Sequence, residues 1–197
     1  VHGEAVGRPT WQRAMVFQDY ALFPWLTVEQ NISFGLEMKQ VDIEKRRTII
    51  DEQIRLVGLV GFEKRYPHQL SGGMKQRVSI ARALSVNPEV LLMDEPFAAL
   101  DAQNRAVMQQ EMGRLLAQTD TAVRKTMVLV THSIEEAILL SDRIIVLSSR
   151  PGRIKEIMKV DLPRPRDEDD PRFIALRHRL RELINEEVED EEVEAKA

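Results

Sequence analysis

The sequence predicts an α/β protein that is built on a mostly parallel sheet and carries a helical insertion. Three apolar runs without alternation, at residues 90–93, 127–130 and 144–147, are typical of strands buried on both faces of such a sheet. The segments between these runs have apolar residues at helical spacing. Strands that alternate with helices predict βαβ units with right-handed crossovers.

The amino-terminal half adds one more strand and then turns helical. An apolar run at residues 14–17 ends at the polar residue Gln18. An amphipathic helix is predicted at 43–57, and another helix follows Gly72. We therefore expect a helical subdomain at about residues 27–88, inserted in the α/β domain.

The carboxyl-terminal half alternates helices with strands and then changes in composition. Helices are predicted at 102–118 and at 134–141, the second opened by Ser133. The segment PRPRDEDDP is typical of a linker, and an amphipathic helix and an acidic tail, expected to be solvated or disordered, follow it. We therefore expect one domain over residues 1–162 and a linker, helix and tail over 163–197.

Composition and charge exclude several classes of protein. The chain has no cysteine, which excludes disulfides and thiolate metal sites. Its apolar runs are far shorter than the roughly 20 residues that span a bilayer. The net charge of the chain is −4. Residues 164–197 hold seven Lys/Arg and twelve Asp/Glu, so they account for this negative charge and the rest of the chain is nearly neutral. A nearly neutral body offers no support for a nucleic-acid surface.

Two adjacent carboxylates follow the strand at 90–93, in the segment VLLMDEP. Ligands of open α/β sheets bind at the carboxyl ends of the strands, and successive side chains point in different directions. Asp94 could hold Mg²⁺, directly or through water, while Glu95 polarises an attacking water. The structural alternative is that Asp-Glu-Pro merely ends the strand.

Polar side chains also end two other predicted strands. His132 follows the run at 127–130 and could contact a transferring phosphoryl group or orient the water, although a lone histidine is more often a structural hydrogen-bonder. Gln18 could ligate Mg²⁺ through its carbonyl oxygen and orient water through its amide. The following segment, YALFPW, is too apolar for an ordinary loop and forms either core or a surface that docks a partner.

The segment SGGMKQR at 71–77 opens a helix in a way that suits an anion. Free backbone N–H groups and the positive end of the helix dipole favour phosphate there, and the two glycines allow close backbone approach. Alternatively, Ser71 is an ordinary N-cap and the glycines form a turn. Lys75 and Arg77 are unfavourable to the helix dipole, so we expect them to face phosphate or a partner.

Taken together and in this order, the motifs resemble those of the ATP-binding subunits of ABC transporters. LSGGMKQR resembles the ABC signature, VLLMDEP resembles Walker B with its catalytic glutamate, and FAALD at 97–101 resembles the D-loop. His132 matches the switch histidine and Gln18 matches the Q-loop. VFQDYALFPWLTVEQNISFGL and the SSRPGRI segment look most like importers of the nitrate, sulfonate, taurine and bicarbonate type.

The resemblance implies a P-loop NTPase-like fold and a head-to-tail dimer that binds ATP and Mg²⁺ between its subunits. Asp94 and Gln18 would then coordinate Mg²⁺. Glu95 would activate water, and His132 would support the γ-phosphate. The residues implied to hold the partner's nucleotide or to lie at the dimer seam are Ser71, Gly72, Gly73, Gln76 and Asp101.

The same resemblance implies partners in a membrane. The loop after Gln18 and the helical insertion would dock integral membrane permease subunits, on the cytoplasmic side of the plasma membrane. A periplasmic or surface solute-binding protein would take part indirectly, and no nucleic acid would be bound. The implied function is ATP hydrolysis coupled to uptake of a small anion, with the choice of solute made by the membrane and solute-binding subunits.

One motif of the family does not occur in the 197 residues. The family places Walker A, GxxxxGK[ST], roughly forty residues before the Q-loop glutamine, whereas seventeen residues precede Gln18. We expect that the chain is the carboxyl-terminal part of a longer reading frame and forms no complete nucleotide site alone. We also expect the isolated chain to aggregate or to need a partner, because apolar sheet edges would be exposed. The alternatives are a non-catalytic partner subunit that donates its signature, and a soluble ABC ATPase.

Overall fold

A computed structural model describes residues 10–117, 126–149 and 151–194. The first unit contains, in order, β1 (Arg13–Val16), α1 (Val28–Met38), α2 (Ile43–Leu56), a 3₁₀ turn (Pro67–Gln69), α3 (Gly72–Ser85), β2 (Val90–Asp94), the start of α4 (Ala102–Ala117) and β3 (Thr126–Val130). The second contains the end of α4, α5 (Ile134–Leu140), β4 (Arg143–Leu147), β5 (Ile154–Lys159) and α6 (Pro171–Glu194). None of the helices in the described ranges is both long and apolar enough to cross a bilayer.

The first unit is organised around a three-stranded parallel sheet in the order β1-β2-β3. Leu92 at the centre of β2 lies opposite Met15 of β1 and Val128 of β3. The parallel pairing predicted for the runs at 90–93 and 127–130 is therefore confirmed. Since parallel strands run in one direction, all three carboxyl ends meet at one edge of the sheet.

Between β1 and β2 the chain forms three helices that pack on one another. α1 begins with a capping box, in which the backbone N–H of Gln30 donates to the Thr27 hydroxyl and the Thr27 N–H donates to the Gln30 side chain. The hydroxyl of Ser85 in α3 donates to the carbonyl of Ile32 in α1 at 3.1 Å. This buried contact ties the middle of α1 to the carboxyl-terminal end of α3.

Arg77 has a structural reason to stand near the start of α3. Its guanidinium donates to the carbonyl oxygens of Val57, at 2.9 Å, and Gly58, at 3.3 Å, at the carboxyl-terminal end of α2. A cation there satisfies free carbonyls and complements the negative end of the α2 dipole. The expectation that Arg77 faces phosphate or a partner was therefore wrong. Its charge is unfavourable at the start of α3, but it stabilises the end of α2.

The second unit contains an antiparallel pair rather than another parallel strand. β4 pairs antiparallel with β5, so assigning the run at 144–147 to a parallel sheet was wrong. The Ser148 N–H donates to the Arg153 carbonyl at 2.8 Å, and the Arg153 N–H donates to the Ser148 hydroxyl at 2.9 Å. These two bonds close a hairpin, and β5, which we did not predict, follows directly from it.

The apolar strand β4 is buried on one face only. Ile144 and Val146 belong to a core with Phe173 of α6, whereas Ile145 and Leu147 are exposed. A two-stranded hairpin covered by helices on one side leaves alternate side chains uncovered. Continuous apolarity was therefore a poor guide to two-sided burial in this strand.

The amphipathic helix predicted near the carboxyl terminus forms and packs. Phe173, Leu180 and Leu183 of α6 are buried in the core of the second unit. The helix continues to Glu194, so of the two alternatives expected for the acidic segment, solvated or disordered, disorder was wrong up to that residue. Glutamate has a high helix propensity, which allows the backbone to continue in the same conformation beyond the packed turns.

Two arginines from the PRPRDEDDP segment cap the carboxyl-terminal end of α5. The side chain of Arg166 is 1% exposed, and its guanidinium donates to the carbonyls of Ile138, at 2.6 Å, and Ser141, at 2.7 Å. Arg164 donates to the carbonyl of Leu140 at 2.8 Å. Burial, with a smaller contribution from the neighbouring Arg164, lowers the pKa of Arg166 to about 10. The segment that we predicted as a linker thus holds the end of α5 in place.

Replacing Arg166 by Met should lower the free energy of unfolding by about 2–3 kcal/mol, because several buried carbonyls lose a charged donor. Arg166→Lys should recover only part of that loss, since an ammonium group cannot reach carbonyls spread around a guanidinium fork. The measurement is urea unfolding followed by circular dichroism. The control is Arg47→Met, at a side chain that is 68% exposed, for which less than about 0.5 kcal/mol is expected. Equal losses in the two variants would contradict the capping role.

The chain leaves β2 through a residue in the left-handed backbone region. Glu95 has a φ of 45°, while its N–H still donates to the Val130 carbonyl of β3 at 2.9 Å. A non-glycine residue pays about 1–2 kcal/mol for this conformation, because Cβ crowds the carbonyl oxygen. The sheet contact and the buried Pro96 that follows therefore hold Glu95 in a strained turn.

At position 95 the glycine variant should be more stable than the alanine variant, by about 1 kcal/mol, since both lose the carboxylate and only glycine relieves the backbone. At Glu111 in α4 the order should reverse, with glycine about 1 kcal/mol less stable than alanine. Both pairs are compared by thermal or urea unfolding. The same order at both positions would show that Glu95 is not strained.

Candidate functional site

The ends of β1 and β2 bring Gln18 and Glu95 together. Val16 of β1 lies opposite Met93 of β2, and each of the two polar residues stands two positions further along its strand. The Gln18 amide Nε2 donates to Glu95 Oε2 at 3.5 Å, between residues that are 77 positions apart in the chain. The shared edge of a parallel sheet thus places an amide beside a carboxylate, as the predicted strand ends require.

Asp94 occupies the last position of β2, next to this pair, and is half-buried. Among the described residues no group of three His, Cys, Asp or Glu side chains is arranged to hold a metal ion. Mg²⁺ commonly binds through one or two protein oxygens and completes its shell with water and substrate phosphates. A carboxylate at Asp94 and an amide oxygen at Gln18 fit that sparse set of ligands, so the residues present suit Mg²⁺ bound together with a phosphate substrate.

His132 lies in the second unit, in a turn whose neighbouring residues, Thr131 and Ser133, are held by hydrogen bonds. The Thr131 hydroxyl donates to Glu136 Oε2 at 2.6 Å and accepts from the Ser133 N–H at 3.0 Å. Gln109 Nε2 donates to the other Glu136 oxygen at 3.2 Å. The side chain of His132 is exposed. Its predicted cooperation with Glu95 remains a prediction.

Glu136, which the motifs did not indicate, is 4% exposed and organises the turn around His132. Its N–H donates to the Ser133 hydroxyl at 3.2 Å, at the amino terminus of α5. The spacing Ser-x-x-Glu, which is typical of a capping box, was the available signal. It predicts a capped helix, but not that the carboxylate turns to Thr131 and Gln109.

The signature turn forms the amino terminus of α3. The Ser71 hydroxyl accepts from the N–H of Met74 at 3.2 Å, which is the geometry of an N-cap. A Cβ on Gly73 would lie 3.3 Å from the carbonyl oxygen of Ala99 and 3.4 Å from Leu100. The N-cap interpretation of Ser71 is therefore correct for this chain, and Gly73 also provides room for the FAALD segment. Phosphate binding by the same turn stays a prediction.

Gln76, which we counted among the nucleotide-binding residues, is buried in α3. It is 1% exposed, and within the described ranges neither atom of its amide group has a hydrogen-bond partner. A side chain that solvent barely reaches is poorly placed to contact a ligand on a neighbouring subunit. Its burial therefore argues against the role that the motif suggested.

Asp101 lies at the start of α4 and binds the first turn of that helix. Its carboxylate accepts from the backbone N–H of Asn104 at 2.9 Å and from the Asn104 side chain at 2.6 Å. These bonds, with a smaller contribution from Arg77, lower the pKa of Asp101. The residue is therefore ionised at neutral pH and caps α4, while its predicted position at a dimer seam stays untested.

The apolar segment after Gln18 forms an aromatic cluster at the surface. The ring centroid of Phe23 lies 5.7 Å from that of Trp25 and 4.4 Å from that of Phe34 in α1. Trp25 is 69% exposed. Asn31 fixes the backbone of the segment, since its side chain accepts from the Phe23 N–H at 2.9 Å and donates to the Leu26 carbonyl at 3.0 Å. Of the two alternatives for this segment, the exposure of Trp25 favours a docking surface.

Comparison with known proteins connects this arrangement to one family. The model of the ABC transporter family matches residues 4–98. An uncharacterized ABC transporter ATP-binding protein of Methanocaldococcus jannaschii is 50% identical over 186 residues, which are 94% of this chain and 68% of the relative. The aliphatic sulfonates import ATP-binding protein of Bacillus licheniformis is 44% identical over 180 residues, with 91% of this chain and 68% of the relative covered.

Solved structures show the same fold. A dimeric post-hydrolysis state of an ATP-binding cassette, bound to ADP and Pi, superposes with a TM-score of 0.67 at 36% identity. The match covers 76% of this chain, which spans 63% of the solved cassette. The α/β class with a parallel sheet and helices, predicted from the sequence, is confirmed. The sequence identity, the coverage and the shared fold together show that the chain belongs to the family of ABC transporter ATP-binding proteins.

Proposed function

We propose that the chain is an ATP-binding and ATP-hydrolysing subunit that powers an ABC importer of a small anion. The observation that carries this proposal is the contact between Gln18 and Glu95 at the common edge of the parallel sheet. Hydrolysis requires a water that attacks the γ-phosphorus of ATP while the bond to the ADP oxygen breaks. A carboxylate held beside an amide suits the positioning and deprotonation of that water.

Each of the polar residues predicted from the sequence has a distinct part in this mechanism. Glu95 accepts the proton of the attacking water, and its strained backbone keeps the carboxylate at the end of β2. Gln18 orients the water through its amide. The oxygens of Asp94 and Gln18 would hold Mg²⁺, which, when bound, offsets the negative charge of the phosphates. His132 supports the γ-phosphate from a turn that Thr131 and Glu136 keep in place.

The partners of this subunit follow from its exposed surfaces and its relatives. The aromatic surface formed by Phe23, Trp25 and Phe34 supports a docking site for membrane permease subunits, and we propose that it binds them on the cytoplasmic side of the membrane. A second ATPase subunit receives the turn at 71–73, whose free N–H groups contact the partner's ATP. A small anion as solute is supported by the sulfonate importer among the relatives. A solute-binding protein delivers that anion to the permease.

The first test measures ATP hydrolysis by the protein assembled with its ATPase and permease partners. Glu95→Gln should lower the rate of Mg-dependent ATP hydrolysis by about a hundredfold or more, because the amide cannot accept the proton of the water. Glu89→Gln, a charge-matched change at the start of the same strand, should leave the rate within about twofold. Phosphate release is measured for both variants. Equal rates for Glu95→Gln and the unchanged protein would refute hydrolysis at this site.

A second candidate is a non-catalytic subunit that donates its signature turn to a complete neighbour. Ser71 is exposed at the start of α3, while the 197 residues contain no GxxxxGK[ST] segment, and we infer that the chain alone hydrolyses little ATP. The test mixes the 197-residue chain with a full-length relative and measures ATP hydrolysis. If the chain donates its turn, Ser71→Arg lowers the stimulated rate by about tenfold or more. An unchanged rate in that mixture rejects donation.

A further inference from the structure

The two residues that follow the Gln18-Asp19 pair have an unusual backbone. Tyr20 has a φ of 61° and Ala21 has a φ of 46°, so two consecutive non-glycine residues are left-handed. Such residues normally occur singly, because each brings Cβ close to a carbonyl oxygen. Their conformation must therefore be stabilised by contacts with the rest of the first unit.

Arg82 of α3 provides the main contact. One guanidinium nitrogen donates to the carbonyl of Ala21 at 2.7 Å, and another donates to the carbonyl of Tyr20 at 3.3 Å. The same guanidinium lies 5.5 Å from the ring centroid of Phe23, in a cation–π arrangement. Arg82 is half-buried, and this burial lowers the pKa of its guanidinium. A planar donor fork thus holds two successive carbonyls of the left-handed segment.

The side chain of Tyr20 reaches the other end of α3. Its hydroxyl oxygen lies 2.9 Å from the position that a Cβ on Gly72 would occupy, whereas its ring carbon Cζ lies 3.9 Å from that position. The backbone of Gly72 is not in the left-handed region, so conformation alone does not require a glycine. A Cβ at this position would therefore have to displace the hydroxyl end of the Tyr20 side chain.

We propose that Tyr20 and Arg82 form a latch that holds the segment after Gln18 against α3, and that position 72 is a glycine because Tyr20 occupies the space beside it. Tyr20 contacts the first residue of α3, while Arg82 binds the same segment from the third turn of that helix. Gln18 is two residues from the latch, so the latch is a positioning device for Gln18. This last consequence rests on the proposed function, but the latch itself does not.

The proposal gives Gly72 a role that differs from close approach to phosphate. If the glycine serves only a phosphate, Gly72→Ala has no effect on the Gln18 segment when nucleotide is absent. If it serves Tyr20, the added methyl displaces the tyrosine and loosens that segment. Tyr20→Phe should then rescue the alanine variant, because the remaining ring carbon at 3.9 Å is in ordinary contact distance.

The test is hydrogen–deuterium exchange of residues 17–26 in the full chain without nucleotide. Three amides report on the segment: Tyr20 donates to Phe17, Ala21 donates to Asp19, and Phe23 donates to Asn31. Gly72→Ala should accelerate their exchange by about tenfold, and the double variant with Tyr20→Phe should return to the rate of Tyr20→Phe alone. Unchanged exchange in Gly72→Ala, or a failure of Tyr20→Phe to restore it, would overturn the proposal.

Substitution of Arg82 provides an independent arm. Arg82→Met should accelerate exchange in the same segment by about tenfold, and Arg82→Lys should give an intermediate rate because it keeps the charge but loses the fork. Arg47→Met, in which an exposed arginine of α2 is removed, is the control and should change nothing. Equal effects of the Arg82 and Arg47 variants would reject the latch. Because no readout uses ATP, the proposed ATPase function can fail without affecting this result.

Discussion

The parallel pairing of β1 with β2 is the contact on which the candidate site depends. It places Gln18 beside Glu95, although the two are 77 positions apart in the chain and three helices lie between them. Because both strands run in the same direction, the turns that follow them open at one edge of the sheet. An antiparallel partner would have placed the end of β1 at the opposite edge, and the amide and the carboxylate would not meet.

Strain at this edge is held by contacts from neighbouring elements. Three residues near this edge have a left-handed backbone conformation: Glu95, Tyr20 and Ala21. Glu95 directly follows β2, and the other two lie shortly after Gln18. The N–H of Glu95 remains bonded to β3, and the carbonyls of the other two are bound by Arg82. Strained backbone persists only where the surrounding structure determines it, and such positions concentrate at functional sites.

Arginines that are at least half-buried and bind backbone carbonyls recur in both units. Arg77 caps α2, Arg82 holds the turn after Gln18, and Arg166 caps α5. A guanidinium offers five donors in a rigid planar fork, whereas an ammonium group offers three on a flexible stem. In a sequence these residues are indistinguishable from surface charges, and for this reason we assigned Arg77 to a phosphate or a partner and gave Arg82 no role.

Local pattern predicted the strands well but predicted their partners poorly. The runs at 14–17, 90–93 and 127–130 lie within one residue of β1, β2 and β3. The run at 144–147 is also a strand, yet its antiparallel partner β5 has charged residues among its apolar ones and was not predicted. Apolar continuity indicates a strand, whereas its direction and the burial of its faces depend on what the rest of the chain places beside it.

The sequence by itself determined the family, the class of fold and the positions of the polar residues that end the strands. These properties are local in the chain, since a short apolar run followed by Gln18 or by Asp94 and Glu95 has one simple interpretation. Only the tertiary structure decided that Gln76 is buried and that Tyr20 lies against Gly72. Those features depend on contacts between segments far apart in the chain, and no local pattern encodes which backbone a side chain will reach.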